Sequence, residues 1–120
     1  MPRPTPLCAP VMTSRLRRAA AEDLAESFKA LADPARLLVL SFLAGQRSGE
    51  ACVCHLTETL GLSQPTVSHH LGRLLAAGLL QREKRGAWAY YRIVPAKLEE
   101  LRAALQPREP ERKVARRRRA

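Results

Sequence analysis

The stretch that most constrains the fold is VCHLTETLGLSQPTVSHHLGRLL, from Val53 to Leu75. Its apolar residues recur with helical spacing in two runs separated by Gly61: Val53, Leu56 and Leu60, then Val67, Leu71, Leu74 and Leu75. Ser63 is a suitable N-cap for the second run, and Pro65 is tolerated in its first turn because the missing N–H is not needed there. The stretch therefore predicts two short amphipathic helices joined by a tight turn.

The outward face of the second predicted helix carries side chains that form hydrogen bonds. With the cap included, they are Ser63, Gln64, Thr66, Ser68, His69 and Arg73. In a helix-turn-helix, the N-terminal part of the second helix reads base edges in the major groove. We therefore expect this face to contact double-stranded DNA. The alternative is an ordinary helical hairpin with a solvated face.

Two short runs rich in aromatic and β-branched residues follow, LLQREK and AWAYYRIV, on either side of a turn at Arg85-Gly86. They predict a β-hairpin, in which Tyr91 and Ile93 share one face and pack. Its tip carries three basic residues expected to reach phosphate or the minor groove: Arg82, Lys84 and Arg85. The predicted fold class is thus mainly α with a small β-hairpin, a winged helix-turn-helix.

Three further helices are predicted. The first begins near Arg15 and has one apolar stripe, at Leu24, Phe28 and Leu31. The second, ARLLVLSFLA, is apolar nearly all round, which predicts a buried central helix that is capped by Asp33 and ended by Gly45. The last begins at Pro95 and has a stripe at Leu98, Leu101 and Leu105. Because no further element remains to cover the stripes of the first and last helices, we expect a homodimer.

The net charge of +10 is unevenly distributed: residues 1–20 sum to +4, residues 21–105 to +1 and residues 106–120 to +5. The predicted organisation is a proline-rich flexible arm over 1–14, a DNA-binding and dimerisation domain over 15–106, and a disordered basic tail over 107–120. The tail would add sequence-independent attraction to DNA, or serve solubility alone. With no apolar run of membrane-spanning length and no secretory h-region, we expect a cytoplasmic protein without a membrane partner.

The chemically distinctive residues are Cys52 and Cys54, in EACVCHL at the start of the first helix of the hairpin. In a chain without a secretory signal, three cysteines favour a soft metal site or a redox switch over a disulfide framework. A helix N-terminus lowers thiol pKa values, although two small packing residues are the alternative. Cys8, on the arm, is the one other thiol and could complete a three-thiolate site. His55 is expected to be a surface helix residue.

The spacing of the two cysteines suggests a mechanism. Positions i and i+2 of a regular helix point about 200° apart, so both thiols can bind one ion only if the first turn unwinds. Since that turn belongs to the predicted DNA-reading hairpin, ion binding and DNA binding would oppose each other, by about 1–3 kcal/mol. No combination of nucleophile, base and oxyanion donor is evident, so an enzyme is not expected.

The segments FKALADPARLLVLSFL, ACVCHL, LSQPTVSHHLGRLLAAGLL and AWAYYRI resemble the ArsR/SmtB-type winged-helix metalloregulators, and among them the arsenite-responsive repressors. The resemblance covers about residues 24–105. It implies a homodimeric repressor that occupies operator DNA when metal-free and releases it when As(III) binds, derepressing an arsenic-resistance operon. The matching inducer ligands are Cys52 and Cys54, and the matching operator-reading residues are Gln64, Thr66, Ser68 and His69.

The sequence departs from some relatives. Thr57 stands where some arsenite sensors have a third cysteine, whereas Cys8 fits relatives that draw thiols from an N-terminal arm. The last helix has Glu99 and Glu100 but no histidine, which excludes the zinc-type site of other relatives. A Cd(II)- or Pb(II)-responsive repressor and a thiol-redox-responsive one stay open as alternatives. A Cys-x-Cys thiol oxidoreductase is disfavoured by the lack of a strand-helix-strand framework.

Overall fold

The computed structural model describes residues 15–107. Cys8, the arm and almost all of the basic tail lie outside this range. Five helices and three strands follow in the order α1 (Arg18–Leu31), α2 (Pro34–Ala44), β1 (Glu50–Cys52), α3 (Val53–Leu60), α4 (Gln64–Ala76), β2 (Leu80–Arg85), β3 (Trp88–Ile93) and α5 (Pro95–Ala104). None of the helices within 15–107 is long and apolar enough to cross a membrane.

The helix boundaries follow local capping chemistry, as the sequence predicts. The Asp33 carboxylate accepts a hydrogen bond from the Arg36 backbone N–H at 3.1 Å, which caps α2. Ser63 Oγ accepts from the Thr66 backbone N–H at 3.3 Å, which caps α4. Gly61 ends α3 with φ of 69°, a left-handed conformation that glycine adopts without steric cost. The turn between α3 and α4 is therefore fixed from both sides.

The core lies where α2, α3 and α4 meet the sheet. The predicted apolar stripes of the hairpin point inward, and the fully buried large side chains are Val39, Leu43, Leu56, Val67, Leu71, Leu74 and Leu79. Tyr91 and Ile93 pack against this core from β3, as predicted. The core thus fixes the angle between the two helices of the hairpin and the orientation of α4.

The sheet has three antiparallel strands in the order β1-β3-β2, not the two of the predicted hairpin. The missed strand is β1, whose residues Glu50 and Cys52 pair with Arg92 and Tyr90 of β3. Three residues are too few for a periodic pattern, and the pairing partner lies far along the chain. As a consequence, the segment that carries Cys52 is an edge strand of the wing.

The prediction that α2 is a buried central helix holds for one face of the helix only. Leu37 and Leu38 are 52% and 56% exposed, whereas Arg36 is 8% exposed. The helix buries one face only, through Val39, Leu40 and Leu43. Arg36 tolerates burial because its Nε donates to the Ala30 carbonyl at 2.7 Å.

The apolar stripes of α1 and α5 are not as uncovered as predicted, because the two helices contact each other. Leu24 and Leu101 are 6% and 3% exposed within a single chain. At the end of the α5 stripe, Leu105 is 49% exposed. Phe28 and Leu98 are half-buried. A part of each stripe therefore stays open to a partner.

Candidate thiol site and nucleic-acid interface

Cys52 and Cys54 are adjacent in space at the junction between β1 and α3. Cys52 ends the strand and occupies the N-cap position of the helix, with extended φ and ψ of −90° and 165°. Cys54 lies in the first turn of α3. Their Cα atoms are 5.4 Å apart, and their Sγ atoms are in disulfide-bonding contact. Cys52 is buried and Cys54 is exposed, so the pair faces solvent from one side.

This geometry corrects the predicted unwinding of α3. Cys52 is not a helical residue, so the rule that i and i+2 point to opposite sides of a helix does not apply to the pair. The extended backbone at the N-cap turns the Cys52 side chain toward the first turn, where Cys54 lies. Both sulfurs can therefore reach one ion while α3 remains intact.

His55 was predicted to be a surface helix residue and was not included among the predicted metal ligands. It is exposed, as predicted, but one of its ring nitrogens and the sulfurs of Cys52 and Cys54 all lie within 4.8 Å of one another. Two thiolates and an imidazole form a donor set suited to soft and borderline ions. The one sign of this three-residue group in the sequence is that His55 directly follows Cys54. The extended conformation of Cys52 at the N-cap, which brings its sulfur close to the other two donors, was not predictable from the sequence.

The outward face of α4 presents the predicted DNA-reading residues together. Gln64, Ser68 and His69 are exposed at its N-terminal half. Ser63 and Thr66 are also exposed, but Ser63 Oγ caps the helix and donates to Thr66 Oγ1 at 2.9 Å. These two hydroxyls are thus partly committed to holding the helix start.

His70 fixes α4 to the preceding helices. Its Nδ1 lies 3.2 Å from Arg36 Nη1 and 3.9 Å from Asp33 Oδ2. The hydrogen bond from the Arg36 backbone N–H, followed by the nearby charge of the Arg36 guanidinium, lowers the pKa of the Asp33 carboxyl. His69 is thus exposed, whereas His70 is hydrogen-bonded within the fold.

Arg73 lies near the other end of α4, away from the N-terminal reading residues. It lines an open groove of about 290 Å³ together with Asp23 and Glu26 of α1 and three alanines. Arg73 is exposed, and its role as a DNA contact stays a prediction.

The three predicted wing contacts lie on two faces of β2. Successive residues of a strand alternate, so Arg82 and Lys84 share one face and Arg85 lies on the other. Arg82 and Lys84 are exposed and form no ion pair within residues 15–107. Arg85 is occupied: its Nη1 and Nη2 donate to the Glu50 carboxylate at 2.7 and 2.9 Å. Arg85 is therefore engaged within the fold, unlike Arg82 and Lys84, and its contact with DNA stays a prediction.

A cluster of charges surrounds Arg85. Its Nη2 also donates to Glu83 at 2.8 Å, and its guanidinium lies 4.5 Å from the centre of the Tyr90 ring. These hydrogen bonds lower the pKa of the Glu50 and Glu83 carboxyls and raise that of Arg85. Arg92 Nη1 adds a contact to Glu83 at 3.4 Å. The cluster joins β1, which leads to the thiol pair, to the tip of the wing.

This fold is that of a winged helix-turn-helix regulator. It combines the helix pair α3 and α4, of which α4 has an exposed outer face, with the adjoining three-stranded wing. A family model described as "Bacterial regulatory protein, arsR family" matches residues 33–82. An uncharacterised HTH-type transcriptional regulator of Methanocaldococcus jannaschii is 44% identical over 80 residues, covering 67% of this chain and 88% of the relative. The chain belongs to the ArsR family.

Two further comparisons bear on the family and the fold. The arsenic resistance transcriptional regulator ArsR1 of Pseudomonas putida is 48% identical over 68 residues, which are 57% of this chain and 52% of that protein. The chain thus spans about half the length of this relative. A homodimeric winged helix-turn-helix DNA-binding domain of Mycobacterium bovis, solved by NMR, superposes with a TM-score of 0.61 at 31% identity, covering 76% of this chain and 84% of that domain. These findings confirm the predicted family and winged-helix fold.

Proposed function

We propose that this protein is an As(III)-responsive transcriptional repressor. Metal-free, it binds operator DNA as a homodimer, and As(III) bound by Cys52, Cys54 and a third thiolate releases the DNA, which derepresses an arsenic-resistance operon. The observation that carries the proposal is the adjacency of the two thiols at the start of α3, the helix that directly precedes the recognition helix α4. The arsenic-resistance role of the P. putida relative supports the choice of inducer.

The proposed mechanism rests on the position of the two thiols at the junction between β1 and α3. Cys52 belongs to a strand that pairs with β3 of the wing, and Cys54 belongs to a helix packed against α4. If Cys52 and Cys54 held one ion, their sulfurs would tie the wing strand to the start of α3 and so fix the angle between the wing and the recognition helix. If that angle differs from the one that DNA requires, ion binding and DNA binding oppose each other, typically by about 1–3 kcal/mol.

The homodimer is supported by the open ends of the α1 and α5 stripes. Leu105 is 49% exposed, and Phe28 of α1 and Leu98 of α5 are half-buried. The homodimeric M. bovis domain has the same fold. A twofold dimer would present two copies of α4 to successive major grooves, about one helical turn of DNA apart.

The test is fluorescence anisotropy of a labelled duplex from the DNA upstream of the protein's own gene, titrated with arsenite at fixed salt. We expect micromolar or lower arsenite to release the duplex from the wild type and not from Cys54→Ser. Cys8→Ser tests the third ligand, which the sequence alone suggests. Release of DNA by Cd(II) or Pb(II) but not by arsenite would contradict the proposed inducer and leave the fold-based function in place.

A second candidate is a repressor switched by oxidation. It is favoured by the disulfide-bonding contact between the sulfurs of Cys52 and Cys54. In that case an oxidant such as diamide would release the duplex without any metal, and a thiol reductant would restore binding. Arsenite-driven release under reducing conditions distinguishes the first candidate from this one.

A further inference from the structure

We propose that the thiol site has a second, divalent binding mode in which Cys52, Cys54 and His55 together bind Zn²⁺. This inference rests on the proposed function, because it assigns the same two thiols to ion binding. It adds a nitrogen ligand and a different class of ion, and it does not require Cys8.

The distances between the three donors suit a tetrahedral ion. With Zn–S bonds of about 2.3 Å and Zn–N bonds of about 2.05 Å, neighbouring donors lie roughly 3.6–3.8 Å apart. The three donor atoms here all lie within 4.8 Å of one another. Once the sulfurs are reduced to two thiols, rotation about side-chain bonds suffices to bring the three donors onto one ion. No hydrogen bond within residues 15–107 holds the exposed His55 ring away from the sulfurs.

Zn²⁺ and As(III) differ in the donor atoms that they prefer. Imidazole nitrogen together with thiolate sulfur suits Zn²⁺, which is tetrahedral and borderline in softness. As(III) is thiophilic and trigonal, so its third ligand is expected to be a thiolate from outside the pair. One cysteine pair therefore serves two ions through two different third ligands. His55 is the ligand specific to the divalent mode.

The test measures binding directly and compares two ions. Zn²⁺ affinity is measured by competition with a chromophoric chelator, and arsenite affinity by calorimetry, both in the presence of a phosphine reductant. The variants are His55→Ala, His55→Gln, Cys8→Ser and Cys54→Ser, with Thr59→Ala as the control because Thr59 is exposed on the same helix. Circular dichroism establishes that each variant is folded.

We expect both His55 variants to lose at least about tenfold in Zn²⁺ affinity and to keep their arsenite affinity. Cys8→Ser is expected to keep its Zn²⁺ affinity, and Thr59→Ala to match the wild type for both ions. With Co²⁺ as the probe, the sulfur-to-metal charge-transfer band should persist in His55→Ala while the ligand-field bands change. Unchanged Zn²⁺ affinity in both His55 variants would overturn this inference alone. Unchanged affinity of Cys54→Ser for both ions would overturn the proposed function as well.

Discussion

Arg82→Ala and Arg85→Ala remove the same charge from the same strand, yet the structure predicts unequal effects on DNA binding. Arg82 is exposed, and no ion pair within residues 15–107 engages it. The Arg85 guanidinium is held by three hydrogen bonds of 2.7–2.9 Å to Glu50 and Glu83. A phosphate would have to compete with both carboxylates for Arg85.

The size of the difference follows from counterion release. Each phosphate contact adds about 0.9 to the slope of log K against log salt, so losing one Arg82 contact per protomer lowers the slope of a dimer by about 1.8. Over a fourfold range of salt, this corresponds to about a 12-fold change in relative affinity. For Arg85→Ala we expect less than half of that change in slope.

The assay is anisotropy of a labelled operator duplex at several salt concentrations, without metal and under reducing conditions. Glu50→Gln is the matched test, because it frees Arg85 from its closest partner and should steepen the salt dependence. Trp88, the single tryptophan, is 56% exposed on the wing, so its fluorescence reports whether the strand is intact in each variant. Equal losses of slope in Arg82→Ala and Arg85→Ala would refute the reasoning.

Three other predictions concern the thiols, the core and acid stability. Cys54→Ser should leave metal-free DNA affinity within about twofold of the wild type, since Cys54 is exposed, and loss of binding in anisotropy would show a structural role. Leu56→Ala should destabilise the protein by about 2–5 kcal/mol in urea titrations, because Leu56 is 0% exposed, whereas Thr59→Ala should stay within about 0.5 kcal/mol of the wild type. The hydrogen bond from Arg85 lowers the pKa of Glu50 below its ordinary 4.5. The Glu50–Arg85 ion pair therefore stabilises the folded protein fully above pH 4.5, and this contribution is lost as the pH falls below that value through the lowered pKa. Glu50→Gln should therefore flatten the acid limb of a stability–pH curve, and an unchanged limb would contradict the ion pair.

The helix-turn-helix was predictable because its signals are local. Ser63, Pro65 and Gly61 set the ends of the helices through their own backbone chemistry, and the spacing of Val67, Leu71 and Leu74 identifies the buried face. Such signals need only neighbours within a few residues. The same holds for the cap at Asp33, which the structure confirms.

The features that sequence reasoning missed depend on partners far along the chain. β1 is a strand because β3 pairs with it, and its three residues have no periodicity of their own. The ion pair of Arg85 was not predicted because Glu50, its main partner, is brought close only by that pairing. Only a part of the candidate thiol site was predicted. Cys52 and Cys54 were chosen because the chain has few cysteines and these two are close in the sequence. The proximity of a His55 nitrogen to both sulfurs depends on the extended backbone at the N-cap, which the sequence does not reveal.

The strand order has a consequence for how the molecule opens. Both helices of the DNA-reading hairpin lie between β1 and β2 in the chain, and both strands pair with β3, so the sheet closes a loop around the hairpin. Because closing a long loop costs chain entropy, we expect the pairing of β1 with β3 to form late in folding. Opening of that short pairing detaches the thiol segment from the wing while the helices stay packed on α2. Amide hydrogen exchange at β1 should therefore be faster than in the core helices, and ions that bridge the two cysteines should slow it.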